Sequence, residues 1–101
     1  MPNKVFETEY FSRLYETLSE KEKEWIKKII DQLKNNAKVG KPLRFDWFRE
    51  KKFEGNRLFY FVYVDLNKVL LVAYGKKNDQ QKIIDEIVRN KDKYKKLVKK
   101  L

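Results

Sequence analysis

The chain has 101 residues, enough for one domain, and carries 25 Lys/Arg against 15 Asp/Glu for a net charge of +10. It contains no cysteine and no histidine. Disulfides and thiol chemistry are therefore excluded, and the commonest general base and metal ligand are missing, so any catalysis falls to Lys, Arg, Tyr, Asp or Glu, and no metal or cofactor is expected. No apolar run approaches the ~20 residues of a membrane span, the residues from Met1 to Phe6 lack the apolar core of a signal peptide, and the expected location is the cytoplasm.

Lys4 to Glu7 reads as a short first strand. Phe11, Leu14, Tyr15 and Leu18 follow at i, i+3, i+4, i+7, one face of a helix. Ser19 with Glu22 three residues on is a capping-box pattern, and it opens a second helix striped by Trp25, Ile26, Ile29, Ile30 and Leu33. The break at Ser19 folds the two helices back as a hairpin. Charges of alternating sign on their outer faces mark solvated surface. Gly40-Lys41-Pro42 is a loop entering the strand region. Trp47 to Phe53 reads as a strand, Gly55-Asn56 as a tight turn, and Arg57 to Val64 as a central strand apolar on both faces. Leu66-Asn67-Lys68 turns again, and Val69 to Tyr74 forms the third strand of a meander. Asp79 is placed to cap a helix from Gln80 to about Asn90, with Ile83, Ile84, Ile87 and Val88 inward. Residues 91–101 form a basic tail of six lysines and one aspartate, in which Tyr94, Leu97, Val98 and Leu101 keep helical spacing. The expected fold is α+β: an N-terminal strand, a helical hairpin, a three-strand antiparallel meander completing a mostly antiparallel sheet, and a C-terminal helix, all in one domain spanning 1–101.

The charge is unevenly placed. Residues 1–36 carry seven basic and seven acidic side chains; residues 37–101 carry eighteen and eight. In the sheet region the cations recur among aromatics, as in Phe48-Arg49-Glu50-Lys51-Lys52-Phe53, Arg57-Leu58-Phe59-Tyr60-Phe61 and Tyr74-Gly75-Lys76-Lys77. Alternation puts Trp47, Arg49, Lys51 and Phe53 on one face of their strand and Glu50, Lys52 and Glu54 on the other. Arg57 lies near the hairpin tip, and Lys76 and Lys77 precede a helix N-terminus, itself favourable to anions. A cationic sheet face with aromatic neighbours suits a polyanion with stackable bases. Taken one at a time, these cations read as solvated surface and the large aromatics as core.

These residues resemble the RelE/ParE superfamily of small toxins. The matching pieces are Gly40-Lys41-Pro42-Leu43, Phe48-Arg49-Glu50-Lys51, Gly55-Asn56-Arg57-Leu58-Phe59-Tyr60-Phe61-Val62 and Val72-Ala73-Tyr74-Gly75-Lys76-Lys77. The order of elements matches over residues 4–90. The resemblance implies the toxin of a type II toxin–antitoxin module, an endoribonuclease that cuts mRNA in the ribosomal A site without metal, using Lys and Arg where other ribonucleases use histidine. It implies catalytic roles for Lys51, Arg57 and Lys77. Arg57 and Lys77 would stabilise the transition state, and Lys51 would serve as base, because clustered cations lower a lysine pKa. Arg49, Lys52, Lys76, Lys41 and Arg44 would bind RNA. The implied partners are mRNA, the ribosome and an acidic antitoxin. The family's helix tyrosine falls at Ile83 here, with Tyr74 and Tyr94 as substitutes off the family position. Alternatives within the resemblance are ParE-like inhibition of DNA gyrase and a non-catalytic module that binds RNA or a partner.

Overall fold

The computed structural model describes residues 2–101. The chain runs β1 (Lys4–Glu7), α1 (Glu9–Glu16), α2 (Glu20–Asn35), β2 (Lys41–Pro42), β3 (Phe48–Phe53), β4 (Asn56–Tyr63), β5 (Lys68–Lys76), α3 (Gln80–Arg89) and α4 (Lys91–Lys99). Single 3₁₀ turns at Val64–Leu66 and Lys77–Asp79 flank β5. The strands form one sheet in the order β1-β5-β4-β3-β2. β1 joins β5 in parallel and every other pairing is antiparallel. The expected mostly antiparallel α+β architecture is present.

The sheet is buried on both faces, which is why β4 and β5 read as near-continuous apolar runs. On one face Phe11 of α1 and Ile26, Ile29 and Leu33 of α2 pack against Leu58, Tyr60, Val62, Val69 and Leu71. On the other, Ile84 and Ile87 of α3 and Val98 of α4 pack against Phe48, Phe59, Phe61, Leu70 and Val72. The helical hairpin is capped as its sequence dictates. Thr8 accepts from the Phe11 amide at the start of α1. Ser19 and Glu22 exchange both bonds of a capping box at the start of α2. The Glu22 carboxylate also accepts from the Tyr74 hydroxyl at 2.7 Å and the Asn56 amide at 3.2 Å, tying α2 to the open end of the sheet.

Five local expectations change. Asp79 precedes α3, but its side chain makes no capping hydrogen bond. Lys41–Pro42 is a short edge strand rather than loop, because its backbone pairs with Glu50 and Arg49. Trp47 lies outside its strand, stacked on Phe45 at 4.7 Å between ring centroids. The hairpin loop is Glu54-Gly55 rather than Gly55-Asn56, since Phe53 pairs with Asn56 and Glu54 takes the left-handed backbone at φ 54°. The basic tail is a packed second helix: Val98 is fully buried, and Lys68 Nζ donates to the carbonyls of Val98 and Leu101 at the helix C-terminus.

Candidate functional site

Cross-strand partners share a face of a sheet. The hairpin register pairs Lys52 with Arg57, Glu50 with Phe59 and Phe48 with Phe61, all on the α3/α4 face. On the opposite face it pairs Arg49 with Tyr60 and Lys51 with Leu58, under α1 and α2. Lys41 of β2 pairs with Glu50, and Gly75 of β5 pairs with Arg57. Ile83 of α3 lies over Gly75 so closely that a Cβ there would stand 2.5 Å from Ile83 Cδ1. The Lys77 amide donates to the Gly55 carbonyl at 2.9 Å, holding the start of the α3 segment against the hairpin tip. Lys41, Glu50, Lys52 and Arg57 thus share one face at the open end of the sheet, with Lys77, Gln80 and Ile83 along its border.

Arg57 is only 5% exposed. Its Nη1 donates to the Asn56 carbonyl at 2.9 Å and to the Glu54 carbonyl at 3.4 Å, so the guanidinium folds back over the turn. Its Nε is sealed from solvent and has no hydrogen-bond partner among the described residues. Such an unmet buried donor costs about 1–3 kcal/mol. Glu50, 3% exposed, accepts from the Gln80 side-chain amide at 2.5 Å. Lys41, Lys52, Lys76 and Lys77 are exposed. Lys76 pairs with Asn56 and so lies toward α2, behind the shared face.

Three other predicted site residues are not brought to Arg57. Lys51 is half-buried on the far face, with the thickness of the sheet between them. Arg49 is buried and staples the loop before β3. It donates to the Asp46 carbonyl at 2.9 Å, the Gly40 carbonyl at 2.8 Å, the Lys38 carbonyl at 3.2 Å and the Asp46 carboxylate at 2.7 Å. Lys38, and after it Arg49, hold the Asp46 carboxyl below its usual range. These four bonds commit Arg49 to the loop before β3, on the opposite face from Arg57. Arg44 is paired with Asp85 of α3, and that pairing is the main cause of a lowered Asp85 pKa. Neither substitute tyrosine reaches the rim. Tyr74 points to Glu22 on the α2 side, and Tyr94 packs edge-on against Phe61, four residues along β4 from Arg57.

Of the two principal clefts, one of about 550 Å³ lies between Trp47, Tyr63 and α4, and one of about 390 Å³ runs along β5 and α3 between Tyr10 and Tyr94. Neither is lined by Arg57, and the exposed lysines Lys41, Lys52 and Lys77 around it suit the phosphates of a strand-like polymer. Glu50 and Gln80 are the members of this group that the sequence reading passed over. Their signal was present in the hairpin: a two-residue loop puts the even-numbered residues of β3 on the face of the odd-numbered residues of β4.

No protein-family model and no curated protein matches the chain. Among solved structures the fold is clear, and it is the RelE fold. The free E. coli toxin RelE, as a double mutant, superposes with a TM-score of 0.76 at 18% identity, covering 89% of this chain and 98% of that one. The same mutant toxin bound to a peptide of its antitoxin RelB gives 0.68 at 20% identity over 75% and 84%. The toxin–antitoxin complex RelBE2 of Mycobacterium tuberculosis gives 0.65 at 20% identity over 76% and 100%.

Proposed function

We propose that this chain is the toxin of a type II toxin–antitoxin module and a metal-independent endoribonuclease that cuts mRNA in the ribosomal A site. The observation that carries the reading is the register that gathers Lys41, Lys52 and Arg57 on one face of the sheet, with Lys77 beside the hairpin tip. Preorganised donors of this kind bind charge that develops in a transition state. In the reaction, the RNA 2′-oxygen attacks the adjacent phosphorus and the bond to the 5′-oxygen breaks. The products are a 2′,3′-cyclic phosphate and a 5′-hydroxyl. Arg57 and Lys77 offset charge on the phosphorane-like transition state, and Lys41 and Lys52 hold neighbouring phosphates. Lys52, and not Lys51, is the β3 lysine in this role, because it is Lys52 that shares Arg57's face.

A net charge of +10 favours an acidic, partly disordered partner. The RelE structures bound to RelB peptide make an antitoxin that partner by analogy. One feature favours a second reading, binding without cleavage. Ile83, not a tyrosine, lies over Gly75 beside Arg57 and offers no proton. The test is substrate chemistry. A message with a 2′-deoxynucleotide at the scissile position should resist cleavage, and the normal message should yield cyclic-phosphate ends. Cleavage of both alike contradicts 2′-hydroxyl attack. No cleavage of either, with inhibition of gyrase supercoiling, moves the function to the ParE type.

A further inference from the structure

We infer that Glu50 is the general base that takes the 2′-hydroxyl proton, and that Gln80 is the positioning residue that holds it. The inference rests on the ribonuclease reading above and adds a base to it. The chain has no histidine, and an ordinary lysine ammonium is protonated at neutral pH and cannot accept a proton. A carboxylate can. The strand pairing puts Glu50, and not Lys51, on the face of Arg57.

The local geometry is that of an oriented base. Glu50 is buried, yet only its Oε2 is engaged, by Gln80 at 2.5 Å. Its Oε1 has no hydrogen-bond partner among the described residues and is not sealed from solvent. Glu50 lies diagonally across the β3–β4 ladder from Arg57, at positions whose backbones are about 7 Å apart. On that shared face the carboxylate is placed for a 2′-hydroxyl and the neighbouring cations for its phosphate. Gln80 is the first residue of α3, directly after the turn carrying Lys77. The same short segment therefore positions the base and a cation.

Several charges bear on Glu50. Lys41 is its β2 partner, Lys52 follows on β3, and Arg57 lies across on β4. Lys77 and Asp79 precede Gln80, and Asp85, farther along α3, is engaged by Arg44 and Gln81. In the step itself Glu50 takes the hydroxyl proton as the 2′-oxygen bonds to phosphorus. The 5′-oxygen leaves with a proton from water, and the proton on Glu50 neutralises the hydroxide left behind.

The experiment is single-turnover cleavage of mRNA on programmed ribosomes at neutral pH. It compares wild type, Glu50→Gln, Gln80→Ala, the Glu50→Gln/Gln80→Ala double variant and Arg57→Ala, each shown folded by its melting curve. Glu50→Gln, the same shape without the charge, should lose about 10²–10⁴-fold. Gln80→Ala should slow the single-turnover rate about tenfold with KM unchanged, and should cost nothing further in the Glu50→Gln background. A merely structural Gln80 would slow both backgrounds by the same factor. Wild-type cleavage that Glu50→Gln retains overturns the base assignment and leaves the ribonuclease reading standing. Absence of cleavage by wild type itself overturns both.

Discussion

Gly40→Ala should be among the most damaging small substitutions in this protein. A Cβ at this position would collide with the backbone carbonyl of Glu50 and stand 2.6 Å from the Tyr60 hydroxyl. The neighbour is strand backbone, which has no rotamer to escape into. The Gly40 amide also receives the buried Tyr60 hydroxyl as its acceptor at 2.9 Å, and the Gly40 carbonyl accepts from Arg49 at 2.8 Å. Overpacking costs about 1–3 kcal/mol, and loss of the buried hydrogen bond adds about 1–2 kcal/mol. The expected total of about 2–5 kcal/mol is a large part of the 5–15 kcal/mol typical of a domain. At about 4–8 °C per kcal/mol for this size, Tm should fall by roughly 10–40 °C. Gly55→Ala is the control, since a Cβ there meets nothing within 4 Å and its φ is not positive. It should shift stability by less than about 0.5 kcal/mol. Urea and thermal unfolding of the two variants give the answer. A Gly40→Ala protein as stable as wild type would refute the close packing of the β2 entry against β3.

Tyr74→Phe should matter at neutral pH and less in acid. The Glu22 carboxyl is held below its usual 4.5, chiefly by the Tyr74 hydroxyl. A depressed carboxyl stabilises the fold above its unfolded value and loses that contribution as pH falls through its folded value. The wild-type advantage over Tyr74→Phe should therefore shrink below about pH 4.5; a gap that stays constant to pH 2 contradicts the linkage. Lys68→Met removes the donor at 3.1 and 2.6 Å to the carbonyls of Val98 and Leu101. Amide exchange in α4 should quicken about tenfold while the sheet core holds, and equal protection in both proteins would show that α4 is kept by packing alone. Binding of a short single-stranded RNA should weaken steeply with salt, with a logarithmic slope falling by about 0.7 for each phosphate-binding cation removed. Lys52→Ala should lower the slope by that amount, and Lys51→Ala should leave it unchanged.

Most of the fold was legible because each signal was local. The capping box at Ser19, the i, i+3, i+4 stripe of α2 and the apolar runs of β4 and β5 each carry their own period. The tail was harder to read. Tyr94 and Val98 kept helical spacing, but six lysines gave the segment the composition of solvated chain, and only their packing on Phe61 and its neighbours shows it as core. The register shift between Phe59 and Tyr60 had no local signal. It turns Val72 and Ala73 to the same face, where alternation would separate them. The site was half legible. Arg57 and Lys77 were chosen from their places beside turns, and both stand at the open end of the sheet. Lys51 and Arg49 were chosen by parity within one strand, which cannot say which face Arg57 occupies. That depends on pairing across the hairpin, where Lys52 meets Arg57.

The most direct test of the account is the rate of A-site mRNA cleavage in a reconstituted translation reaction by wild type, Arg57→Ala and Lys51→Ala. The account predicts cleavage by wild type, a loss of about 10²–10³-fold in Arg57→Ala, and a Lys51→Ala rate within about twofold of wild type. An inert wild-type protein, or a Lys51→Ala protein as impaired as Arg57→Ala, would contradict it.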